Sequence, residues 1–190
     1  MRKITSKKKE EKKQKRNQLI GGLVLISILF VSLVGYGFGG RSVNQEEISY
    51  KGQEFVEQNG FWITKIGDFE FSLRYKPNEL DEIDTDLHFL DDYLGEPLYI
   101  SSDDIESESE IYRNLIGQNS IALRMQLACL DGEVCENKEL PVKTCDDNFI
   151  VIRESSQPKV IQNNNCVFIR GEMENLTRIT DGFLLKIIGL

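Results

Sequence analysis

The chain has 190 residues, with 23 Lys or Arg against 31 Asp or Glu, and a net charge of −8. The charge is segregated, because residues 1–18 hold nine basic and two acidic residues while residues 19–190 hold 14 basic and 29 acidic ones. The acidic part disfavours nucleic acid as a partner, since a phosphate backbone attracts basic surfaces. The basic tail contains no aromatic residue that could stack on a base.

The stretch Leu19–Phe38 contains no charged residue and has the length needed to cross a bilayer. The tail before it carries a net charge of +7, and cationic flanks stay on the cytoplasmic side. We therefore predict a single-pass cell-membrane protein with a cytoplasmic N-terminus, contacting lipid through residues 19–38 and the tail. A cleaved signal peptide stays an alternative, although Gly39–Ser42 makes a poor cleavage site.

The predicted organisation is a basic tail over 1–18, a transmembrane helix over 19–38, a linker over 39–47 and one extracytosolic domain over 48–190. Three short strands are expected at the start of this domain. They cover Ser49–Gln58, Phe61–Ile66 and the alternating residues from Phe69 to Tyr75. The turn residues Asn59-Gly60 and Gly67-Asp68 favour an antiparallel meander with its aromatic residues on the core face.

An acidic amphipathic segment follows the meander. Its apolar residues recur every three or four positions, which predicts a helix capped by Asn78 and closed by Gly95. This stripe consists of Leu80, Ile83, Leu87, Leu90 and Leu94. The opposite face carries six Asp or Glu residues between Asp81 and Asp92. We predict a solvated face there; a cation site is the alternative, but the segment lacks a calcium-loop spacing.

The next segments predict a strand–helix–strand crossover with parallel strands. Pro97–Ser101 is the first strand, a helix capped by Ser102–Asp104 ends at Gly117, and Ile121–Leu130 is the second strand. Further strands are predicted at Phe149–Arg153, Lys159–Gln162 and Val167–Arg170.

A final helix is predicted over Glu172–Ile188, with an apolar stripe that packs on the domain's own sheet. Docking of this stripe on a partner or a membrane is the alternative. The expected fold class is therefore a transmembrane helix followed by one mixed-sheet α/β domain: a meander, alternating helices and strands, and a C-terminal helix on the sheet.

All four cysteines follow the apolar stretch, which favours two disulfides on the non-cytoplasmic side. Four cysteines permit three connectivities, and we favour Cys129–Cys135 and Cys145–Cys166. The first pair closes a short loop with Asp131-Gly132 at its turn. The second pair can meet whether the strands at Phe149–Ile152 and Val167–Ile169 are parallel neighbours or form one hairpin.

No residue pattern indicates a catalytic, cofactor or metal site. His88 lies far from the cysteines and has no nucleophile motif beside it, and no glycine-rich phosphate loop occurs. Asn175-Leu176-Thr177 matches the glycosylation acceptor pattern, so Asn175 is a candidate modification site; an unmodified chance match is the alternative.

Two classes of function fit these features. The first is a non-catalytic domain that binds or assembles with another envelope protein, and it predicts an exposed apolar or aromatic patch on the folded domain. The second is an anchored hydrolase or carbohydrate-acting enzyme. It requires a cleft with convergent acids of raised pKa, drawn from Asp81–Asp92 or Asp103–Glu110. The absence of a motif favours the first class.

The segment from Cys145 to Leu190 contains a CVFIRG strand followed by LTRITDGFLLKIIGL. This part resembles the C-terminal part of uncharacterised single-pass surface proteins of archaea, which are anchored at the N-terminus. The resemblance implies an anchored surface domain and carries no catalytic residues with it.

Overall fold

The N-terminal part of the chain forms one long helix, α1, over Lys7–Phe38. The computed structural model describes residues 7–38, 46–135 and 137–190; most of the predicted linker 39–47 lies outside these ranges. Within them, no helix combines the length and the apolar character that crossing a membrane requires. The helical conformation of Leu19–Phe38 is thus observed, while its passage through a bilayer stays a prediction. Helix α1 and the chain from the first strand onward form separate compact units.

The second unit begins with a four-stranded antiparallel meander, which confirms the predicted topology. Its strands are β1 (Glu47–Tyr50), β2 (Gln53–Gln58), β3 (Phe61–Ile66) and β4 (Phe69–Leu73). The single strand predicted at Ser49–Gln58 is wrong, because Lys51 and Gly52 turn the chain with φ of 48° and 85°. Glycine at the second turn position makes this tight connection inexpensive.

The predicted helix over the stripe from Leu80 to Leu94 is wrong. Short 3₁₀ turns occur at Pro77–Glu79 and Leu90–Tyr93, and the chain between them has no regular structure. The Thr85 hydroxyl donates to Val160 O at 2.7 Å and the His88 N–H donates to the Gln162 side-chain oxygen at 2.7 Å, so the segment lies along a strand. Its apolar side chains still pack on the core, from a chain that is not helical.

Seven further strands complete the fold. They are β5 (Pro97–Ser102), β6 (Arg124–Leu127), β7 (Cys129–Leu130), β8 (Val142–Lys143), β9 (Asn148–Glu154), β10 (Lys159–Asn163) and β11 (Cys166–Gly171). Five of them form a mixed sheet in the order β10-β11-β9-β5-β6, in which β10 is antiparallel to β11 and all other neighbours are parallel. The predicted strand Ile121–Leu130 is therefore divided, because β7 leaves this sheet and pairs with β8.

Two helices lie against one face of the mixed sheet. Helix α2 covers Ile105–Tyr112 and continues through a π-helical turn at Arg113–Gly117. It connects the parallel strands β5 and β6, as the crossover pattern predicts. Helix α3 covers Leu176–Ile187, so the predicted start at Glu172 is early by four residues; a 3₁₀ turn at Met173–Asn175 precedes it. Packing of α3 on β11 and β9 confirms its place on the sheet.

The mixed sheet is covered on both faces, which explains the continuous apolar run in β9. Ile150 and Ile152 belong to the core beneath α2 and α3. Phe149 and Val151 point to the opposite face, where the disulfide-bonded segment covers them with Ala128 and other residues. Apolar runs of this kind are typical of strands buried on both sides.

The structure contains two disulfides, Cys129–Cys135 and Cys145–Cys166, with Cα separations of 5.7 and 4.9 Å. Strands β9 and β11 are parallel neighbours, and Cys166 lies opposite Phe149 in their register. Of the two geometries considered for the second bridge, the parallel arrangement is the one observed. Together the bridges fasten the segment that covers the second face of the sheet.

Candidate binding surface

The strand β6 forms a free edge of the mixed sheet. Its neighbour on one side is β5, and no other strand among the described residues pairs with its outer side. The Ala128 N–H donates to Ile100 O at 3.0 Å, in register with the pairing of Leu127 and Ile100, so the even-numbered peptide groups of β6 face β5. The backbone N–H and C=O groups of Met125 and Leu127 therefore point outward, because peptide groups alternate along a strand. These groups are available for a further strand.

Apolar side chains accompany this edge. Leu123 and Leu127 are 69% and 46% exposed, and Met125 between them packs partly into the core beneath the helices. Alternation places all three on the face of the sheet that carries α2. On the outward side of α2, Ile105 and Tyr112 are 78% and 51% exposed, and they lie two helical turns apart. We call Ile105, Tyr112, Leu123, Met125 and Leu127 the edge surface.

A buried asparagine holds α2 and its π-helical turn against the first sheet. Asn114 is 1% exposed; its Oδ1 accepts the Ser72 N–H at 2.8 Å and its Nδ2 donates to Ser72 O at 2.9 Å. Asn119 makes the same pair of hydrogen bonds with Glu70: its Oδ1 accepts the Glu70 N–H and its Nδ2 donates to Glu70 O, each at 2.9 Å. Two side-chain amides thus take the place of a neighbouring strand along β4, which orients α2 and with it the edge surface.

An ionic cluster lies beside this contact. Glu110 is fully buried and accepts hydrogen bonds from Arg113 and, at 3.2 Å, from Arg74 Nε. Arg113 also donates to the Ser72 hydroxyl at 2.9 Å and stacks 4.3 Å from the centre of the Phe61 ring. A buried carboxylate shared by two guanidinium groups is satisfied, so this arrangement is suited to holding α2 in place.

A second buried carboxylate joins α3 to the end of β4. Asp181 Oδ2 accepts the N–H groups of Arg74 and Tyr75, each at 2.8 Å, while its Oδ1 has no hydrogen-bond partner in the described part of the chain. Burial raises the pKa of Asp181 to about 7, and the two N–H groups offset this only in part.

A cleft of about 260 Å³ lies elsewhere, between the acidic segment, β10 and α3. Its lining includes Asp81, Glu82 and Asp84 together with Lys159 and Arg178. Lys51 hydrogen-bonds Glu82 and lowers the pKa of that carboxyl, which is opposite to the shift that a general acid needs.

Part of the second acidic stretch, Asp103–Glu110, stabilises the fold. Burial by itself would raise the pKa of Asp104, but the hydrogen bonds from Ser107, Glu106 and Thr177 together outweigh burial and bring the pKa below its ordinary value. Asp104 caps α2 by accepting the N–H groups of Glu106 and Ser107. Burial raises the pKa of Glu108. Across the described ranges, no group of His, Cys, Asp and Glu side chains is arranged to hold a metal ion.

The glycosylation candidate Asn175 is half-buried at the start of α3, and Thr177 is only 6% exposed. The Thr177 hydroxyl donates to the Asp104 carboxylate at 3.1 Å, which ties the beginnings of α2 and α3 together. Threonine of the acceptor pattern thus has a structural role in the folded domain.

Sequence reasoning did not single out Arg74, Glu110, Arg113 and Asp181 as a group. Arg74 directly follows β4, Glu110 and Asp181 lie in α2 and α3, and Arg113 begins the π-helical turn. Their sequence spacing carries no common pattern. The available signal was local: Asp181 is the one acidic residue in the sequence of α3, where it lies between Thr180 and Gly182.

The comparisons with known proteins found no match: no family model, no curated protein and no solved structure resembles this chain significantly.

Proposed function

We propose that this protein is a membrane-anchored, non-catalytic extracytosolic domain that assembles with an envelope protein through its edge surface. The observation that carries the proposal is the coincidence of a free strand edge with exposed apolar side chains on the same face. An exposed apolar patch on a folded domain marks an interaction site, because leaving it in water costs free energy.

The anchor in this proposal is the apolar half of α1. Residues 19–38 are helical and carry no charge, and Lys15 and Arg16 stand on the side that would face the cytoplasm. Lipid contacts through residues 19–38 and the basic tail would hold the protein in a single pass, with the acidic unit outside. The resemblance of residues 145–190 to archaeal surface proteins belongs to the same proposal.

The disulfides support the outward placement of the acidic unit. Both bridges belong to this unit, and such bonds persist in oxidising compartments. The Cys145–Cys166 bridge is buried at Cys166, so it forms part of the folded core.

Topology is tested with the full-length protein in intact cells. Protease added outside should degrade the acidic unit, and a thiol reagent added to unreduced, denatured protein should label none of the four cysteines. Four reactive thiols, or a unit protected from protease until the cells are lysed, would contradict the anchored extracytosolic placement.

Binding is tested by chemical cross-linking in membranes. Leu123→Lys places a charge on the edge surface, while Val134→Lys makes the same change at a residue that is 95% exposed elsewhere. Cross-linked adducts should decrease with the first variant and persist with the second. Equal adduct formation by both variants would show that the edge surface is not the binding site.

An anchored hydrolase or carbohydrate-acting enzyme is the second candidate, and the cleft favours it because Asp81, Glu82 and Asp84 line one wall. Turnover of chromogenic glycosides or esters by the wild-type protein, lost in Asp84→Asn and retained in Asp68→Asn, would support it. Lack of turnover across such a panel would leave the binding function as the better account.

A further inference from the structure

We infer that the cleft between the acidic segment, β10 and α3 binds a free α-amino acid with an apolar side chain. The cleft has a volume of about 260 Å³ and shares no lining residue with the edge surface, so this inference goes beyond the proposed binding function. A cleft of this size is slightly smaller than the pockets that hold drug-sized ligands, which suits a molecule as small as an amino acid.

The floor of the cleft is apolar. Val160 of β10 is 5% exposed, and the half-buried Ile83 and Ile179 pack against the same core. Thr85 also lines the cleft, but its hydroxyl donates to Val160 O at 2.7 Å, so that its proton is not available to a ligand. An aliphatic side chain placed on this floor would leave water, which is favourable in proportion to the apolar area buried.

Arg178 supplies the positive charge of the cleft. Its Nη2 donates to Glu79 O, and its Nε is buried without a hydrogen-bond partner. Lys159 also lines the cleft, but alternation with the core residue Val160 directs the lysine side chain to the opposite face of the sheet. Within the described ranges no carboxylate forms an ion pair with Arg178. The guanidinium therefore keeps the capacity to bind a carboxylate, the planar partner that matches it.

The acidic segment supplies the negative charge. Asp81 and Asp84 line the cleft, are exposed, and have no ion-pair partner in the part of the chain that the structure describes. Glu82 lines the cleft as well, but its carboxylate pairs with Lys51 at 2.8 Å. Asp81 and Asp84 are thus the groups that can accept hydrogen bonds from an ammonium ion.

Opposite charges that line one cleft without pairing select a ligand that carries both signs of charge. An α-amino acid presents a carboxylate, an ammonium group and a side chain on one carbon atom. Its carboxylate would accept from Arg178, its ammonium would donate to Asp81 or Asp84, and its apolar side chain would cover the floor. A ligand with one charge leaves the other half of the cleft without a partner, which is unfavourable once water is displaced.

The ligand class is tested by isothermal titration calorimetry of the full-length, detergent-solubilised protein. The probes are L-leucine, isoamylamine, which is leucine without its carboxylate, and isocaproate, which is leucine without its ammonium group. L-Leucine should bind at least about tenfold more tightly than either analogue, because each analogue loses a charged hydrogen bond. Glycine keeps both charges without the side chain and should also bind at least about tenfold more weakly than leucine.

Variants assign the two charged halves of the cleft. In Arg178→Gln, the affinity for leucine should fall to that of isoamylamine or below. In the double variant Asp81→Asn with Asp84→Asn, it should fall to that of isocaproate or below. Arg170→Gln is the matched control, since Arg170 is exposed on the opposite face of the sheet, and it should bind leucine as the wild-type protein does.

No binding of leucine at millimolar concentration, equal affinities for leucine and either analogue, or an unchanged affinity in Arg178→Gln would overturn the inference. The comparison of leucine with its analogues uses the wild-type protein, so it decides the question even where a variant does not fold. None of these outcomes affects cross-linking through the edge surface, and loss of that cross-linking leaves binding in the cleft unchanged.

Discussion

Buried amides at single positions decide how the first sheet meets α2. Asn114 makes hydrogen bonds with both backbone groups of Ser72 and also donates to Glu110 O at 3.0 Å. Its side chain satisfies peptide groups on the edge of β4 that would otherwise be buried without partners. Leaving such a group unsatisfied costs about 1–3 kcal/mol.

We therefore expect Asn114→Ala to lower the free energy of unfolding by about 2–4 kcal/mol, because two backbone groups lose their partners at once. Asn119→Ala removes the equivalent exchange with Glu70 at a partly exposed position, where water can replace it, and should cost less. Urea denaturation of both variants measures the difference. Equal losses of unfolding free energy in the two variants would contradict the prediction that the buried Asn114 contributes more than the partly exposed Asn119.

Asp181 is a buried acid whose pKa is raised from an ordinary value of 3.8 to about 7. The folded state therefore holds a proton that the unfolded state releases at lower pH. The contribution to stability is fully present below pH 3.8 and is lost as the pH rises through 7. Over this window the wild-type protein should lose up to about 4 kcal/mol on account of this group.

The variant Asp181→Asn should abolish that slope, because the amide keeps an acceptor for the N–H groups of Arg74 and Tyr75 and does not titrate. The unfolding free energy is measured at intervals between pH 4 and 8. Asp68→Asn, at an exposed turn, is the control and should follow the wild-type curve. A wild-type curve that rises across this range relative to Asp181→Asn would contradict the assigned protonation.

At the scale of elements, the acidic segment shows how tertiary contacts replace an expected helix. Its apolar spacing is helical, but its chain is held along the outer side of β10 by Thr85 and His88. Six acids in a short helix would also repel one another. The same segment protects the β10 edge, which leaves β6 as the edge of the mixed sheet that is open to pairing.

The two disulfides close loops of different length, with sequence separations of 21 for Cys145–Cys166 and 6 for Cys129–Cys135. Loop-closure entropy predicts a loss of about 3 kcal/mol on removing the first bridge and about 2 kcal/mol on removing the second. Paired Cys→Ser variants, compared by guanidinium unfolding, measure both losses. A larger loss on removing Cys129–Cys135 would show that loop-closure entropy does not determine which bridge contributes more to stability.

The whole molecule separates into two units with opposite charge. The tail over 1–18 is basic, and the unit that starts near β1 is strongly acidic. An acidic unit is repelled by anionic headgroups, whereas the tail is attracted to them. The proposed topology accordingly puts the basic tail, rather than the acidic unit, next to the anionic headgroups of the cytoplasmic leaflet.

Because the second unit has its own core and both disulfides, it should fold without α1. A chain beginning at Glu46 is expected to unfold cooperatively at the same midpoint as the full-length protein in detergent, and to stay in the supernatant after ultracentrifugation. Thermal unfolding followed by circular dichroism measures the midpoint. Loss of cooperativity in the shortened chain would show that α1 contributes to the fold.

Local patterns were enough for the antiparallel order of the meander, the crossover between β5 and β6, and the existence of α3, since each depends on neighbouring residues along the chain; they missed the turn at Lys51-Gly52 and the start of α3. Turn residues such as Asn59-Gly60 and the cap at Asp104 act over a few positions. Local patterns could not predict that the strand expected at Ile121–Leu130 ends at Leu127, or that the acidic segment is not helical. Both depend on hydrogen bonds to strands more than 25 residues distant or to another sheet.

The sequence by itself determined the charge division, the uncharged stretch Leu19–Phe38, the presence of disulfides and the order of most elements, because these follow from composition and short-range periodicity. The tertiary structure decided which edge stays open, which acids are buried and how the amides of Asn114 and Asn119 meet β4. Those features depend on backbone groups brought together from distant segments. Their positions become defined only when the two sheets and two helices pack around one core.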